Sequence, residues 1–111
     1  MKPLYPPKVQ QMADAVQQSQ GATAPALRRA VADRAAALGG AAREESEIPA
    51  DIEGYVDKIA LHAYRVTDDD IKALKQAGYS EDAIFELTLS AALGAGLARM
   101  EVGLSALKGS R

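Results

Sequence analysis

The stretch LTLSAALGAGLA, residues 87–98, constrains the fold of this chain more than any other. Only Thr88 and Ser90 interrupt its apolar residues, so a helix here is apolar on every side. Such a helix belongs inside a structure, because each of its sides must be covered. Its small residues are expected to admit close approach by neighbouring helices: Ala92, Gly94, Gly96 and Ala98. We therefore predict a central helix over about residues 81–107, some of whose neighbours come from other subunits.

The rest of the chain also favours helices. Alanine is abundant, aromatic residues make up 5% of the sequence, and strand-forming residues seldom occur in runs. A length of 111 residues suffices for one domain with a modest core. The expected fold class is all-α, a compact and oligomeric helical domain of about five to six helices. Within it, N-terminal helices over 1–50 are expected to pack on a core over 51–111.

Proline and glycine mark the ends of the first two helices. The spacing of apolar residues over 9–16 predicts a first helix that ends near Gly21. Pro25 suits the first turn of a second helix, which Gly39 and Gly40 end. A charged connection follows and is closed by Pro49.

Capping signals place the remaining helices. Asp51 is predicted to cap a third helix that runs to about residue 65. Thr67 and Asp70 have the spacing of a capping box, which predicts the start of a fourth helix. Gly78 should end that helix, and Ser80 should cap the long apolar one.

Charge and cysteine content exclude several classes of function. The chain has 13 basic and 15 acidic residues, a formal net charge of -2. It therefore lacks the positive field that neutralises phosphates, and we expect no nucleic-acid partner. It has no cysteine, which removes disulfides, thiolate metal ligands and cysteine nucleophiles.

The sequence also carries expectations about location. The N-terminus lacks an apolar core of the signal-peptide type. The longest apolar run, residues 91–98, is far shorter than the ~20 residues that span a bilayer. A cytoplasmic, soluble protein with no membrane partner is expected.

One polar stripe stands out in the third predicted helix, within the stretch YVDKIALH. Tyr55, Lys58 and His62 fall within a wedge of roughly 60° on a helix, and His62 is the chain's only histidine. The three side chains offer a hydrogen-bond donor, a cationic anchor for a carboxylate and a proton carrier. The alternative is structural, with Tyr55 and His62 at a helix contact and the amine of Lys58 reaching water.

Residues 51–107 resemble the core of the carboxymuconolactone decarboxylase and alkylhydroperoxidase D-like superfamily, most closely in VTDDDIKALKQAGYSEDAIFELTLSAALGAGLARM. The redox-active branch carries Cys-x-x-Cys on a helix, with a histidine four residues on. The matching positions here are Tyr55, Lys58 and His62, so both cysteines are replaced. A relay glutamate upstream of the pair matches this chain ambiguously, among Arg43, Glu44 and Glu45.

The resemblance implies an all-helical homo-oligomer, commonly a trimer or a hexamer, with sites near subunit contacts. It cannot imply thiol peroxidase activity, because the cysteines that perform it are missing. The decarboxylase branch moves protons without a cysteine pair, which leaves acid–base chemistry on a small carboxylate open.

Two hypotheses about function follow. In the first, the protein is a lyase-like or isomerase-like catalyst without a cofactor, with His62, Lys58 and Tyr55 in the site and Glu44 or Glu45 as the relay residue. In the second, it is a non-catalytic helical oligomer that serves as a structural or ligand-binding module.

Two other groups of charged residues have structural interpretations. Consecutive carboxylates at residues 68–70 suit a helix start, and no calcium-loop pattern follows them, so no metal site is expected. Glu86 and Arg99 border the apolar helix. If they are buried they must be paired, and an ion pair between helices or subunits is the favoured interpretation.

Overall fold

The computed structural model describes residues 7–18, 20–41 and 46–109, and within these ranges it contains helices, turns and irregular connections but no strand. The all-α prediction is thus confirmed. The elements in chain order are α1 (Pro7–Gln18), α2 (Pro25–Leu38), α3 (Ala50–His62), a 3-10 turn (Ala63–Arg65), α4 (Asp68–Gln76) and α5 (Glu81–Gly109).

Most of the predicted helix ends are confirmed. Pro25 opens α2 at its first turn, and Gly39 and Gly40 follow its end. Thr67 and Asp70 form the capping box of α4. Gly78 lies beyond α4 with φ +104°, a backbone conformation that glycine adopts without strain. The Ser80 hydroxyl accepts the Ala83 N–H at 3.1 Å and so caps α5.

Three boundaries differ from the prediction. The first helix ends at Gln18 rather than near Gly21. The third α-helix ends at His62, and the chain continues to Arg65 as a tighter 3-10 turn. The residue that caps α3 is Pro49, whose carbonyl accepts the Ile52 N–H at 3.1 Å. Asp51 lies inside the first turn instead, where its carboxylate still faces the positive end of the helix dipole.

Asp51 has a role that ties two elements together. Its Oδ1 accepts a hydrogen bond of 2.7 Å from the Tyr79 hydroxyl, which lies between α4 and α5. Burial, together with the adjacent Asp51 carboxylate, raises the pKa of Tyr79 to about 12. The phenol therefore stays protonated near neutral pH and donates its hydrogen bond to Asp51.

The core lies where α2, α3 and α5 meet. Val31, Ile52, Val56 and Leu87 have no exposed surface, and each of the three helices contributes to one continuous apolar cluster. Helix α2 has its most extensive contact with α5. This cluster requires α5 to have an apolar side facing inward. The hydroxyls of Thr88 and Ser90 donate hydrogen bonds within their own helix, to the carbonyls of Ile84 and Glu86.

Small residues let α2 and α5 come unusually close. A Cβ atom added at Gly94 would lie 2.8 Å from the Cα of Ala32, a distance that real side chains do not tolerate. The predicted role of the small residues is confirmed at this position, and the neighbour is a helix of the same chain.

Helix α5 also has the length and apolar composition of a membrane span. It is the one such helix among the described residues, and 44% of its most apolar window is buried within this structure. Core helices satisfy the same two criteria. The expected cytoplasmic location stays a prediction.

Replacing Gly94 with alanine should destabilise the fold, because the added methyl meets the backbone of Ala32. We expect a loss of about 1–3 kcal/mol in the free energy of unfolding, as overpacked cores show, measured by urea denaturation. Gly54 is the matched control, since it lies in α3 with nothing within 4 Å of an added Cβ. Gly54→Ala should stabilise the helix by up to about 1 kcal/mol. Equal effects of the two substitutions would refute the close approach of α2 and α5.

Candidate functional site

Tyr55 is the buried member of the polar stripe on α3. Its side chain is 8% exposed, and its hydroxyl lies 2.6 Å from the Thr88 Oγ1 of α5. Thr88 already donates its one hydroxyl hydrogen to the Ile84 carbonyl at 2.7 Å. The Tyr55 hydroxyl is therefore the donor and Thr88 the acceptor, which fixes the phenol in a contact between α3 and α5.

Lys58 is held by a carboxylate of the same chain. Its Nζ donates to both oxygens of Asp70, at 2.8 and 3.0 Å. Asp70 also accepts the Thr67 N–H at 2.8 Å in the capping box of α4. The hydrogen bond from Lys58 and that from the Thr67 backbone lower the pKa of Asp70 below its ordinary value. The lysine thus fastens α3 to the start of α4.

His62 lies apart from both of these contacts. It is exposed at the last turn of α3, and its ring meets the Tyr64 ring edge to face at a centroid distance of 6.0 Å. The Arg65 guanidinium lies 5.8 Å from the centroid of the same Tyr64 ring. The structure therefore places the three stripe residues in three environments: buried, ion-paired and exposed.

Glu44 and Glu45, the candidate relay residues, and Arg43 with them, lie outside the described residues. The polar contacts between α2 and α3 are described. Arg34 of α2 grips Asp57 of α3 through two hydrogen bonds, at 2.7 and 2.9 Å, and reaches Glu53 at 3.1 Å. This forked contact joins two core helices, a geometry that arginine makes and lysine does not.

Another group of polar contacts surrounds Glu86. Its carboxylate accepts the N–H groups of Ala22 and Thr23 at 2.7 and 2.9 Å and the Thr23 hydroxyl at 2.6 Å. The buried Arg28 places its Nη1 3.9 Å from the same carboxylate. Through these hydrogen bonds Glu86 holds the connection between α1 and α2 against α5.

The hydrogen bonds around Glu86 change its protonation. The Thr23 hydroxyl contributes most to lowering its pKa, the two backbone N–H groups and the positive charge of Arg28 add to this, and burial opposes them. Glu86 forms the predicted ion pair between helices, with Arg28, but the hydrogen bonds from the loop lower its pKa more than the charge of Arg28 does. A sequence gives no signal for loop N–H groups that converge on a distant carboxylate.

Arg99, the other charged residue beside the apolar stretch, has a different partner. It is exposed, and its guanidinium donates to the Ala60 carbonyl near the end of α3. A carbonyl, rather than a carboxylate, is therefore the hydrogen-bond partner found for Arg99.

A cavity of about 350 Å³ lies between α1 and α5. Its walls are mostly apolar, and Arg28 and Glu86 form its polar part. None of Tyr55, Lys58 and His62 lines it. Among the residues that the structure describes, no cluster of three or more His, Asp or Glu side chains could hold a metal ion.

Helix α5 exposes an apolar surface on the side away from the core. Phe85 is 66% exposed, Leu89 39% and Leu107 56%. These side chains fall within a wedge of roughly 60° that also holds exposed small residues. We call this surface the outward face of α5, made of Phe85, Leu89, Ala92, Gly96, Gly103 and Leu107. The sequence predicts an all-round apolar helix, and the structure shows which side stays uncovered.

Comparison of this chain with protein-family models, with curated proteins and with solved structures finds no match.

The lowered pKa of Glu86 gives a prediction about acid stability. A carboxyl whose pKa is lower in the folded state stabilises the fold above its ordinary pKa of 4.5, and this contribution is lost as the pH falls below that value. Glu86→Gln should cost about 1–3 kcal/mol at pH 7, because the amide nitrogen that replaces one carboxylate oxygen cannot accept a hydrogen bond from the loop. Its stability should also fall less steeply than that of the wild type below pH 4.5, as measured by urea unfolding at several pH values.

Glu81→Gln is the matched control. Glu81 is also on α5 and its pKa is also lowered, through a hydrogen bond with Lys75, but its side chain is 79% exposed. Solvent screens such a pair, so we expect little change in stability. Equal losses in the two variants would show that the loop contacts of Glu86 do not stabilise the fold.

Proposed function

We propose that this protein is a non-catalytic helical module that assembles with other copies of itself through the outward face of α5. The observation that carries the proposal is the exposure of Phe85, Leu89 and Leu107 along one side of the longest helix. Contiguous apolar side chains on a protein surface often mark an interaction site, whereas apolar side chains scattered singly do not.

The charge pattern of α5 supports a protein partner. From Ala83 to Leu107 the outward side carries one charged residue, Arg99, and its guanidinium is turned to the Ala60 carbonyl of α3. The face therefore presents apolar surface with little charge to desolvate, as the centre of a protein interface does.

The environments of the stripe residues support a structural role for α3. Tyr55 donates to Thr88 within a buried helix contact, and Lys58 is neutralised by Asp70. A substrate carboxylate would have to displace Asp70 from Lys58, and Asp70 is held in place by its capping bonds with Thr67. These two side chains maintain the arrangement of α3, α4 and α5.

Acid–base chemistry on a small carboxylate is the second candidate, and one observation favours it. His62 is exposed, so a ligand could reach its imidazole, the side-chain type that most often transfers protons in catalysis. Under this proposal another copy of the chain would have to complete the site, because Tyr55 and Lys58 are engaged elsewhere.

The mass of the protein in solution tests the first proposal. We expect light scattering after size-exclusion chromatography to give a multiple of the 11.7 kDa chain mass. Leu89→Asp should reduce it to a monomer, because burying an unpaired carboxylate in an apolar contact is unfavourable. Leu61→Asp is the control, since Leu61 is 45% exposed on α3, away from the outward face. A monomeric wild type at concentrations near 100 µM would overturn the proposal, provided that circular dichroism shows it folded.

A pH titration of His62 by proton NMR separates the two candidates. The assignment is unambiguous because the chain has one histidine. For the non-catalytic module we expect imidazole resonances whose pH dependence is unchanged when small dicarboxylates or lactone acids are added. A shift that saturates with one of these acids would favour the acid–base site instead.

A further inference from the structure

We infer that two copies of the chain pack their α5 helices antiparallel, outward face to outward face, with Gly96 at the two-fold axis. The inference rests on the proposed self-assembly and specifies its geometry. Its evidence comes from the glycines of α5, from the order of large and small residues along the face, and from the charges at the two ends of the helix.

The glycines of α5 fall into two kinds. Gly94 is required within the chain, because an added Cβ would collide with the backbone of Ala32. Gly96 and Gly103 are exposed, and an added Cβ at either position would meet nothing within 4 Å. Glycine inside a helix costs stability relative to alanine, and no contact within the chain accounts for that cost at these two positions. Notches for a second helix would account for both.

In an antiparallel pair centred on Gly96, large residues of one outward face lie opposite a glycine or another large residue of the partner's outward face. With Gly96 on the axis, Leu89 lies level with the partner's Gly103, and Phe85 lies level with the partner's Leu107. Gly96 meets its own symmetry mate, so the two backbones can approach closely. A parallel pair would place Phe85 against Phe85 and leave the Gly103 notches facing each other.

The cavity between α1 and α5 lies beside Phe85 and Leu89. The two-fold axis brings the partner's Leu107 to this end of the helix, on the side of the face that borders α1. An apolar side chain of this size suits the mostly apolar walls, which include Ala15 and Val16. The partner's Leu107 is therefore the occupant that this register assigns to the cavity.

The ends of α5 carry opposite charges. Its first turn has Asp82 and Glu81, the latter already paired with Lys75, and its last turn has Lys108. An antiparallel pair sets the acidic end of one helix beside the basic end of the other, twice, and opposes the two helix dipoles. A parallel pair would place like charges together. With so few cations near the face, an anionic lipid surface is a poorer occupant than a second copy.

The size of the contact suggests its strength. The face spans about 33 Å from Phe85 to Leu107 at 1.5 Å per residue and is about 10 Å wide. This footprint of about 330 Å² is smaller than the ~800 Å² per partner of a standard interface, so the cavity wall beside Phe85 and Leu89 is needed to enlarge it. We expect association that depends on concentration.

The symmetry of this contact limits the assembly. A two-fold contact uses the same surface on both partners and is found in dimers and in dihedral assemblies. A closed trimer without further symmetry cannot contain this contact.

The absence of cysteine from the chain makes the register directly testable. Phe85→Cys and Leu107→Cys are prepared separately and oxidised alone and as a mixture. We expect a disulfide between the two different chains in the mixture, identified by intact mass, and little of either homodimer. In the antiparallel register two copies of residue 85 lie about 33 Å apart, too far for a disulfide.

The outcomes separate this inference from the proposed assembly. A monomeric wild type would overturn both, and binding of that monomer to phosphatidylglycerol vesicles would favour a lipid surface as the partner instead. An oligomer in which each variant crosslinks to itself would overturn the antiparallel register alone. An oligomer without any of these crosslinks would show that another surface forms the contact.

Gly96→Arg provides an independent check of the axis. Gly54→Arg is its matched control, because Gly54 is likewise helical and exposed, with nothing within 4 Å of an added Cβ. Both variants should retain the helical circular dichroism spectrum. We expect Gly96→Arg to weaken association at least tenfold and Gly54→Arg to leave it unchanged. Equal association of both variants would remove Gly96 from the contact.

Discussion

The close approach of α2 and α5 at Gly94 is the contact on which the rest of the structure depends. Because Gly94 has no side chain, the backbone of Ala32 lies against α5, and the two helices can share their most extensive contact. Helix α3 then completes the apolar cluster around Val31, Ile52 and Leu87. The same contact decides which side of α5 is buried and which side faces out, so the outward face is a consequence of how the core is packed.

Polar contacts fix the helices that this core brings together. Glu86 holds the connection between α1 and α2 onto α5, Arg34 joins α2 to α3, and Lys58 joins α3 to α4. Each contact pairs a charged side chain on one element with an oppositely charged group or with backbone N–H groups on another, which satisfies charges that would otherwise be desolvated. The charged residues near the core are therefore used mainly to orient helices.

This use of charge bears on the interpretation of the polar stripe. A catalytic site needs side chains that converge on one reacting position with their hydrogen-bonding capacity free. Tyr55 and Lys58 are already hydrogen-bonded to Thr88 and Asp70, while His62 is exposed to solvent beside Tyr64. These environments support the proposal of a helical module in which α3 serves packing and α5 presents an exposed apolar face.

The sequence by itself determined the helical class, the positions at which most helices start and end, and the need for small residues in α5. These properties are local: a capping box such as Thr67 with Asp70, a proline in a first turn, or a run of apolar residues acts within a few positions of the chain. The spacing of Tyr55, Lys58 and His62 was also readable, because helical periodicity places them on one side. Only the tertiary structure decided that Asp70 neutralises Lys58 and that Glu86 captures the N–H groups of Ala22 and Thr23. It also decided that the side of α5 with Phe85 and Leu89 stays exposed, because partners distant in the chain are chosen by packing, which no local pattern records.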